Sequence, residues 1–226
     1  MANRYVIKFS KTGYVKYTSH LDLLRMFKRA FKKADLGLSY SQGFNPHPKM
    51  SFAQPLSLGY AGRSELIELE TARPHQTAEI LRAMQGQMPQ GIEILACYEL
   101  PAEVKSLAAA ADSAAYRIWI LTDKTEAVLR EDLRRYLQQN EILAMKRMKK
   151  TKKEEPVNIK NRIRKIDIAK VGDFAVIETE LDCGSQSNCS PELVIASFCS
   201  FAGITTTRDL IEVERRNINF VNKLQF

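Results

Sequence analysis

The stretch from Arg4 to Ala34, RYVIKFSKTGYVKYTSHLDLLRMFKRAFKKA, decides how the chain begins to fold. Over its first six residues Tyr5, Ile7 and Phe9 point one way while Val6 and Lys8 point the other, a period of two that predicts a strand. Lys11-Thr12-Gly13 supplies a turn. Thr18 or Ser19 then caps a helix, with Asp22 in its first turn, where a carboxylate suits the positive end of the helix dipole. From there Leu23, Phe27, Ala30, Phe31 and Ala34 recur at helical spacing, while Arg25, Lys28, Arg29, Lys32 and Lys33 take much of the other surface. The helix is amphipathic with a cationic outer face, and Gly37 is its expected end.

Further along, Leu38 to Tyr40 reads as a short strand. Gly43-Phe44-Asn45-Pro46-His47-Pro48 holds two prolines and a glycine in six residues, which fixes a stiff, non-repetitive loop. Met50 to Leu58 and Leu66 to Glu70 are strand-like, Gln76 to Met84 helical, and Ile92 to Tyr98 strand-like again. The same order returns after a connector. Ala115 to Leu121, holding the only tryptophan, is a strand; a helix capped by Thr122 or Asp123 runs to about Gln139. Ile142 to Met148, Val157 to Ile168 and Phe174 to Leu181 are strand-like. Ser190 caps a helix with Pro191 at its first position, and Thr205 to Glu214 closes as a strand. The expected fold is α+β: two tandem ferredoxin-like βαββαβ halves with antiparallel sheets, residues 1–100 and 114–226, joined by 101–113, with a basic hairpin between the middle strands of the second.

Charge is distributed unevenly. The chain carries a formal +8, yet residues 1–49 alone sum to +8 and residues 146–165 to +8, so the remainder is acidic by the same amount. Two cationic segments on an acidic remainder suggest a surface that faces a polyanion. The start of the chain has no long apolar run and no other stretch is long enough for a membrane span. Cys97, Cys183, Cys189 and Cys199 form no CxxC pair, which fits a reducing cytoplasm and free thiols.

The densest chemistry lies in Tyr17 to Asp22 and Tyr40 to Phe52. A stiffened loop holding Gln42, Asn45 and His47 loses little entropy on engaging a ligand, and amides and imidazoles suit base edges, phosphates or peptide carbonyls. The candidate ligand-binding residues are His20, Asp22, Arg25, Gln42, Asn45, His47 and Lys49, with Lys149, Lys150, Lys152 and Lys153 for phosphate. Base stacking needs exposed rings, and Tyr14, Tyr17, Tyr40, Phe44 and Phe52 lie near the first set of cations in sequence. No catalytic residue is assigned: His20 and His47 could form an acid/base pair, but no third group is set to orient either ring. No metal site and no cofactor are expected, since Cys183, Cys189 and Cys199 lack ligand spacing and no phosphate loop or nucleophile elbow is present.

The strings Tyr17-Thr-Ser-His-Leu-Asp-Leu-Leu-Arg25, then Arg29-Ala30, then Tyr40-Ser-Gln-Gly-Phe-Asn-Pro-His-Pro-Lys-Met-Ser-Phe-Ala53 with Pro55-Leu56 and Gly59, resemble the radical-SAM-linked protein family, DUF2344. The resemblance covers most of the chain and is densest between residues 4 and 70. Lys149 to Lys153 is similar to the family's basic turn, whereas Val157-Asn158-Ile159 stands where the family usually has an acidic residue before isoleucine. The resemblance implies a domain fused to, or encoded beside, a radical SAM protein with a cobalamin-binding region. This chain has no CxxxCxxC motif and so is not itself the radical enzyme. The expectation is an accessory binding domain that works with that radical SAM protein and presents RNA or a ribosomal component to it, without a membrane. The alternatives are a metal-independent endoribonuclease using His20 or His47, or a protein adaptor.

Overall fold

The computed structural model describes residues 3–148, 151–221 and 224–226. In chain order the elements are β1 (Asn3–Lys11), α1 (His20–Lys33), β2 (Met50–Phe52), β3 (Ala61–Thr71), α2 (Thr77–Met84), β4 (Ile92–Glu99), α3 (Leu107–Ala110), β5 (Ala111–Leu121), α4 (Glu126–Gln138), β6 (Leu143–Arg147), β7 (Glu154–Asn158), β8 (Ile163–Val171), β9 (Phe174–Asp182), α5 (Pro191–Ala202) and β10 (Ile211–Phe220). The fold is mixed α+β, and the chain divides into two compact units: residues 1–112 with 217–226, and residues 113–216. The boundary expected near residue 114 is close to this, but the last ten residues group with the first unit.

In the first unit β1 is central, antiparallel to β3 on one side and β4 on the other, and β2 pairs with β3 through Met50↔Leu69, Ser51↔Glu68 and Phe52↔Ile67. The strand order β4-β1-β3-β2 is the one a split βαβ unit requires. Tyr5, Ile7 and Phe9 alternate onto the same side as Leu23, Phe27, Ala30 and Phe31 of α1, and together with Ile67, Leu69, Ile80 and Met84 they make one core. Phe9, Phe27 and Phe52 lock it with a tilted ring pair, Phe9–Phe27 at 4.7 Å, and an edge-on pair, Phe27–Phe52 at 5.7 Å.

In the second unit the order is β10-β5-β9-β8, with β5 antiparallel to β9 and β9 to β8. Leu129, Leu133 and Tyr136 of α4 and Val194 and Phe198 of α5 are buried. The Tyr136 ring meets Phe198 edge-on at 5.4 Å, its hydroxyl lies 2.6 Å from Ser197 Oγ, and burial pushes the phenol up to about 12.

Several boundaries differ from those read in the sequence. Leu38 and Tyr40 form only isolated bridges, to Thr71 and Pro48, because prolines at 46 and 48 deny the loop a continuous ladder. Helix α1 is stopped by Asp35, which takes the left-handed conformation (φ 51°) while Leu36 N–H bonds back to Phe31 at 3.3 Å; Gly37 makes a second left-handed turn beyond it. Thr125, not Thr122 or Asp123, caps α4, its Oγ1 accepting from Val128 N–H. The basic run does not join the middle strands of the second unit. It joins β6 to β7, a separate two-stranded ribbon inserted before β8, while β8 and β9 are joined by a tight turn at Gly172.

Candidate nucleic-acid interface

The approach to α1 is built on a buried lysine. Lys11, at the end of β1, is 1% exposed, and its Nζ donates to the carbonyls of Lys16 at 3.2 Å and Thr18 at 3.0 Å. A buried ammonium needs such acceptors, and supplying them fixes the single 3₁₀ turn Gly13–Tyr17 against the strand. Ser19 then caps the helix: its Oγ accepts from Asp22 N–H at 3.2 Å and its hydroxyl donates to the Asp22 carboxylate at 2.7 Å. Arg25 donates to the other Asp22 oxygen at 2.9 Å. The Ser19 hydroxyl first, and Arg25 second, hold the Asp22 carboxyl below its ordinary range. Two of the expected ligand contacts, Asp22 and Arg25, thus engage each other. His20 is exposed and sets its ring edge-on to Phe52 at 5.2 Å.

Beyond Arg25 the helix offers charge without partners. Lys28, Arg29, Lys32 and Lys33 are exposed and make no ion pair among the described residues. Rings stand in the same unit. Phe44 is fully exposed, Tyr14 is 94% exposed, Tyr17 61% and Tyr40 49%, and Lys16 Nζ lies 5.4 Å from the Tyr17 ring centre. Of the five aromatics expected near the cations, only Phe52 is in the core.

The loop between α1 and β2 is a closed excursion. Ser41 N–H donates to His47 carbonyl at 2.8 Å, Lys49 N–H to Ser39 carbonyl at 2.8 Å, and Ser39 N–H to Glu70 carbonyl at 2.8 Å, while His47 N–H donates to Ser41 Oγ at 3.0 Å. At its tip Gly43 adopts φ 128°, a conformation side chains resist, and this presents Phe44 outward. Gln42 and Asn45 are exposed with no side-chain partner among the described residues. The base of the loop borders a cleft of about 520 Å³. His47 and Lys49 line it, together with Arg4, Ser41, Ser51, Glu68, Glu70 and Lys105. Lys49 pairs with Glu70 at 2.8 Å, Arg4 donates to the Val104 carbonyl at 2.6 Å and reaches Glu68 at 3.8 Å, and Ser51 donates to Glu68 at 3.1 Å. Both signs of charge line this cleft, which suits a ligand bearing donors as well as an anion. Of the expected site residues it gathers only His47 and Lys49; His20, Asp22, Arg25, Gln42 and Asn45 do not line it. Arg4, Glu68 and Glu70 also line the cleft and are not among the expected residues. For the two glutamates the signal was the alternation of Leu66, Glu68 and Glu70 with Ile67 and Leu69, which puts carboxylates on the sheet face away from the core.

The basic ribbon adds a third feature. Lys149 and Lys150 lie outside the described residues. Lys152 and Lys153 are exposed, and the turn is closed by Met148 N–H to Lys153 carbonyl at 2.8 Å, with Lys152 at φ 59°. Lys146 is opposite Glu155 and Arg147 opposite Glu154, so the strands balance their charge and the turn does not.

A model of the DUF2344 family, described as an uncharacterized protein conserved in bacteria, matches residues 4–191. This chain belongs to that family. No curated protein matches it. Among solved structures the DUF2344 chain is similar in fold to one in a crystal structure of a Cbf5-Nop10-Gar1 complex, with a TM-score of 0.53, 12% identity, and coverage of 95% of this chain and 49% of that one. It therefore spans about half the length of that chain. A second match is the crystal structure of an unknown protein from Galdieria sulphuraria, at 9% identity over 98% of this chain and 99% of that one, with a TM-score of 0.29.

Burial first, and Glu99 second, push the Cys97 thiol up to about 12, and burial pushes Cys189 and Cys199 up to about 11, so these thiols stay protonated at neutral pH. Among the described residues no three His, Cys, Asp or Glu side chains are grouped to hold a metal ion, and no helix is long and apolar enough to cross a membrane.

Proposed function

We propose that this chain is an accessory binding module that works with a cobalamin-type radical SAM protein and presents RNA or a ribosomal component to it. The observation that carries the RNA half is the company, in the first unit, of exposed rings, Tyr14, Tyr17, Tyr40 and Phe44, with cations that make no ion pair among the described residues, Lys28, Arg29, Lys32 and Lys33. Exposed aromatics cost solvation, and like charges spaced along one helix repel, so neither serves the fold. Bases stack on such rings and phosphates neutralise such cations. His47 and Lys49 in the mixed-charge cleft are candidate positions for recognising a nucleotide, and Lys152 and Lys153 of the ribbon for adding phosphate attraction, as would Lys149 and Lys150.

The partner half rests on the SHLD and YSQGFNPHP strings, which resemble the radical-SAM-linked family. The solved chain of similar fold was crystallised as part of a complex, which suits a component of an assembly. The nuclease alternative gains nothing: neither the His20 nor the His47 ring has a hydrogen-bond partner among the described residues to orient it. Filter binding of single-stranded RNA at rising salt tests the reading. Affinity should fall steeply with salt; binding that ignores salt, or none at low salt, overturns it. Co-purification with the radical SAM protein that persists after nuclease treatment would support the partner half apart from RNA.

A further inference from the structure

Lys11 ends β1, after Tyr5, Ile7 and Phe9 have alternated into the core, and like them it is buried. An aliphatic side chain would fill that place without the desolvation that a buried ammonium incurs. The ammonium adds direction. Its Nζ donates to the carbonyls of Lys16 and Thr18, the residues on either side of Tyr17. Gly59 N–H donates to the same Lys16 carbonyl at 2.9 Å. The start of the turn is held as closely, by Thr12 N–H donating to the Gly91 carbonyl at 2.8 Å. Gly91 approaches so near that a Cβ there would meet the Thr12 carbonyl at 2.6 Å and Val15 Cγ2 at 3.0 Å.

Between those two anchors stand a pair of rings. In a 3₁₀ turn, side chains three residues apart leave on the same side, which makes neighbours of Tyr14 and Tyr17. They are 94% and 61% exposed, while Val15 between them packs against the core. A turn fixed at both ends has already lost the backbone freedom that ligand binding would otherwise remove, so stacking on its rings is less costly. Bases held in a duplex have no open face to offer, whereas unpaired bases stack on aromatic side chains.

We propose that Lys11 is a positioning residue for RNA, holding Tyr14 and Tyr17 as a preformed platform for unpaired bases. The inference rests on the RNA reading above and adds to it the device that orients two of its rings. Lys11 itself is buried and meets no phosphate; it acts through the turn alone.

The test separates base stacking from phosphate attraction. The full chain and its variants are titrated at several salt concentrations with labelled oligouridine and with an abasic strand of equal length. The parent should bind oligouridine more tightly than the abasic strand. Lys11→Met should weaken oligouridine binding about tenfold and leave abasic binding and both salt slopes unchanged, since stacking is lost and no phosphate contact is removed. Gly91→Ala, which displaces the same turn from its other end and keeps the ammonium, should give the same pattern; it decides the matter alone if Lys11→Met does not fold. In a chain carrying Tyr14→Ala and Tyr17→Ala, Lys11→Met should cost less than about twofold more, because the rings it acts through are gone. Equal losses on both probes would give Lys11 a general role in folding. Oligouridine affinity unchanged in the folded variants, or bound by the parent no better than the abasic strand, would mean that the rings form no platform. Each of these results overturns the proposal while leaving phosphate-driven RNA binding intact. A parent that binds neither probe at low salt overturns the RNA reading and this inference together.

Discussion

Helices α1 and α4 occupy the same place in their units, each following the first strand, and they treat their cations in opposite ways. On α4, Arg130 pairs with Glu126 at 2.8 Å, Arg134 with Glu131 at 2.6 Å, and Arg135 with Asp132, which Lys124 also holds at 2.7 Å. Each arginine there has a carboxylate three or four residues away, the spacing at which helical side chains meet. On α1 only Arg25 has such a partner. Arg25 and Arg29, Lys28 and Lys32, and Arg29 and Lys33 are instead like-charged neighbours four apart, each pair costing a few tenths of a kcal/mol. One helix uses charge to hold the fold; the other keeps charge available at the fold's expense. That contrast, more than net charge, supports the polyanion surface proposed for the first unit.

The comparison breaks most visibly in RNA affinity. Replacing Lys28, Arg29, Lys32 and Lys33 with alanine should weaken single-stranded RNA binding about 100-fold or more at low salt and reduce the salt slope by roughly 3, since each phosphate contact on a single strand contributes about 0.7. Arg130→Ala with Arg134→Ala, which removes paired cations from α4, should change affinity less than about twofold. Equal losses in both variants would dissolve the distinction between the helices. Stability should respond in the reverse sense. Asp132 is buried; burial opposes its ionisation, but bonds from Lys124 and Arg135 outweigh that and hold its carboxyl below the ordinary value. A depressed pKa adds stability above the unfolded value near ~4, lost as pH falls through the lower folded value. Asp132→Ala should therefore cost about 2 kcal/mol at pH 7 in urea unfolding, with the deficit shrinking below about pH 4. The four-alanine α1 variant should be no less stable than the parent.

How far these properties could be read from the sequence depended on the range of the interactions involved. The alternation in Arg4 to Phe9, the apolar spacing of α1, and Ser190-Pro191 at the start of α5 are local patterns, and the structure has those elements where the pattern puts them. The cationic face of α1 was equally legible. What the sequence could not carry was pairing between distant residues. The strand expected over Val157 to Ile168 splits into β7 and β8 because β7 folds back on β6, a choice settled by tertiary contact. The same limit applies to the cleft, where Lys49 meets Glu70 and Ser51 meets Glu68 across strands. Nor does spacing show that Asp22 and Arg25 spend their charge on each other, although three residues apart on a helix made that contact available.

Caps sharpen the comparison further. Ser19→Ala should cost about 1 kcal/mol of stability, as N-cap losses do, and should let the Asp22 carboxyl drift up toward its ordinary value, because the Ser19 hydroxyl is the main cause of its depression. A carbon-detected NMR titration of Asp22 that shows no upward movement would mean Arg25 alone sets it.

The helix ends carry the smallest expected effect. Helix α4 leaves through Gln139 in an extended conformation, its side chain donating to the Tyr136 carbonyl at 3.0 Å, so an end carbonyl is satisfied without unusual backbone. Helix α1 instead turns through Asp35 at φ 51°, which lets Leu36, 3% exposed, fold back into the core while its N–H reaches Phe31. Aspartate tolerates the left-handed region better than most residues, yet glycine does so without a Cβ penalty. Asp35→Gly should therefore raise stability by about 0.5 kcal/mol, while Gln139→Gly, at a position with no such strain, should lower it. If both substitutions destabilised equally, the left-handed turn would hold no recoverable strain and the two helices would end on equal terms.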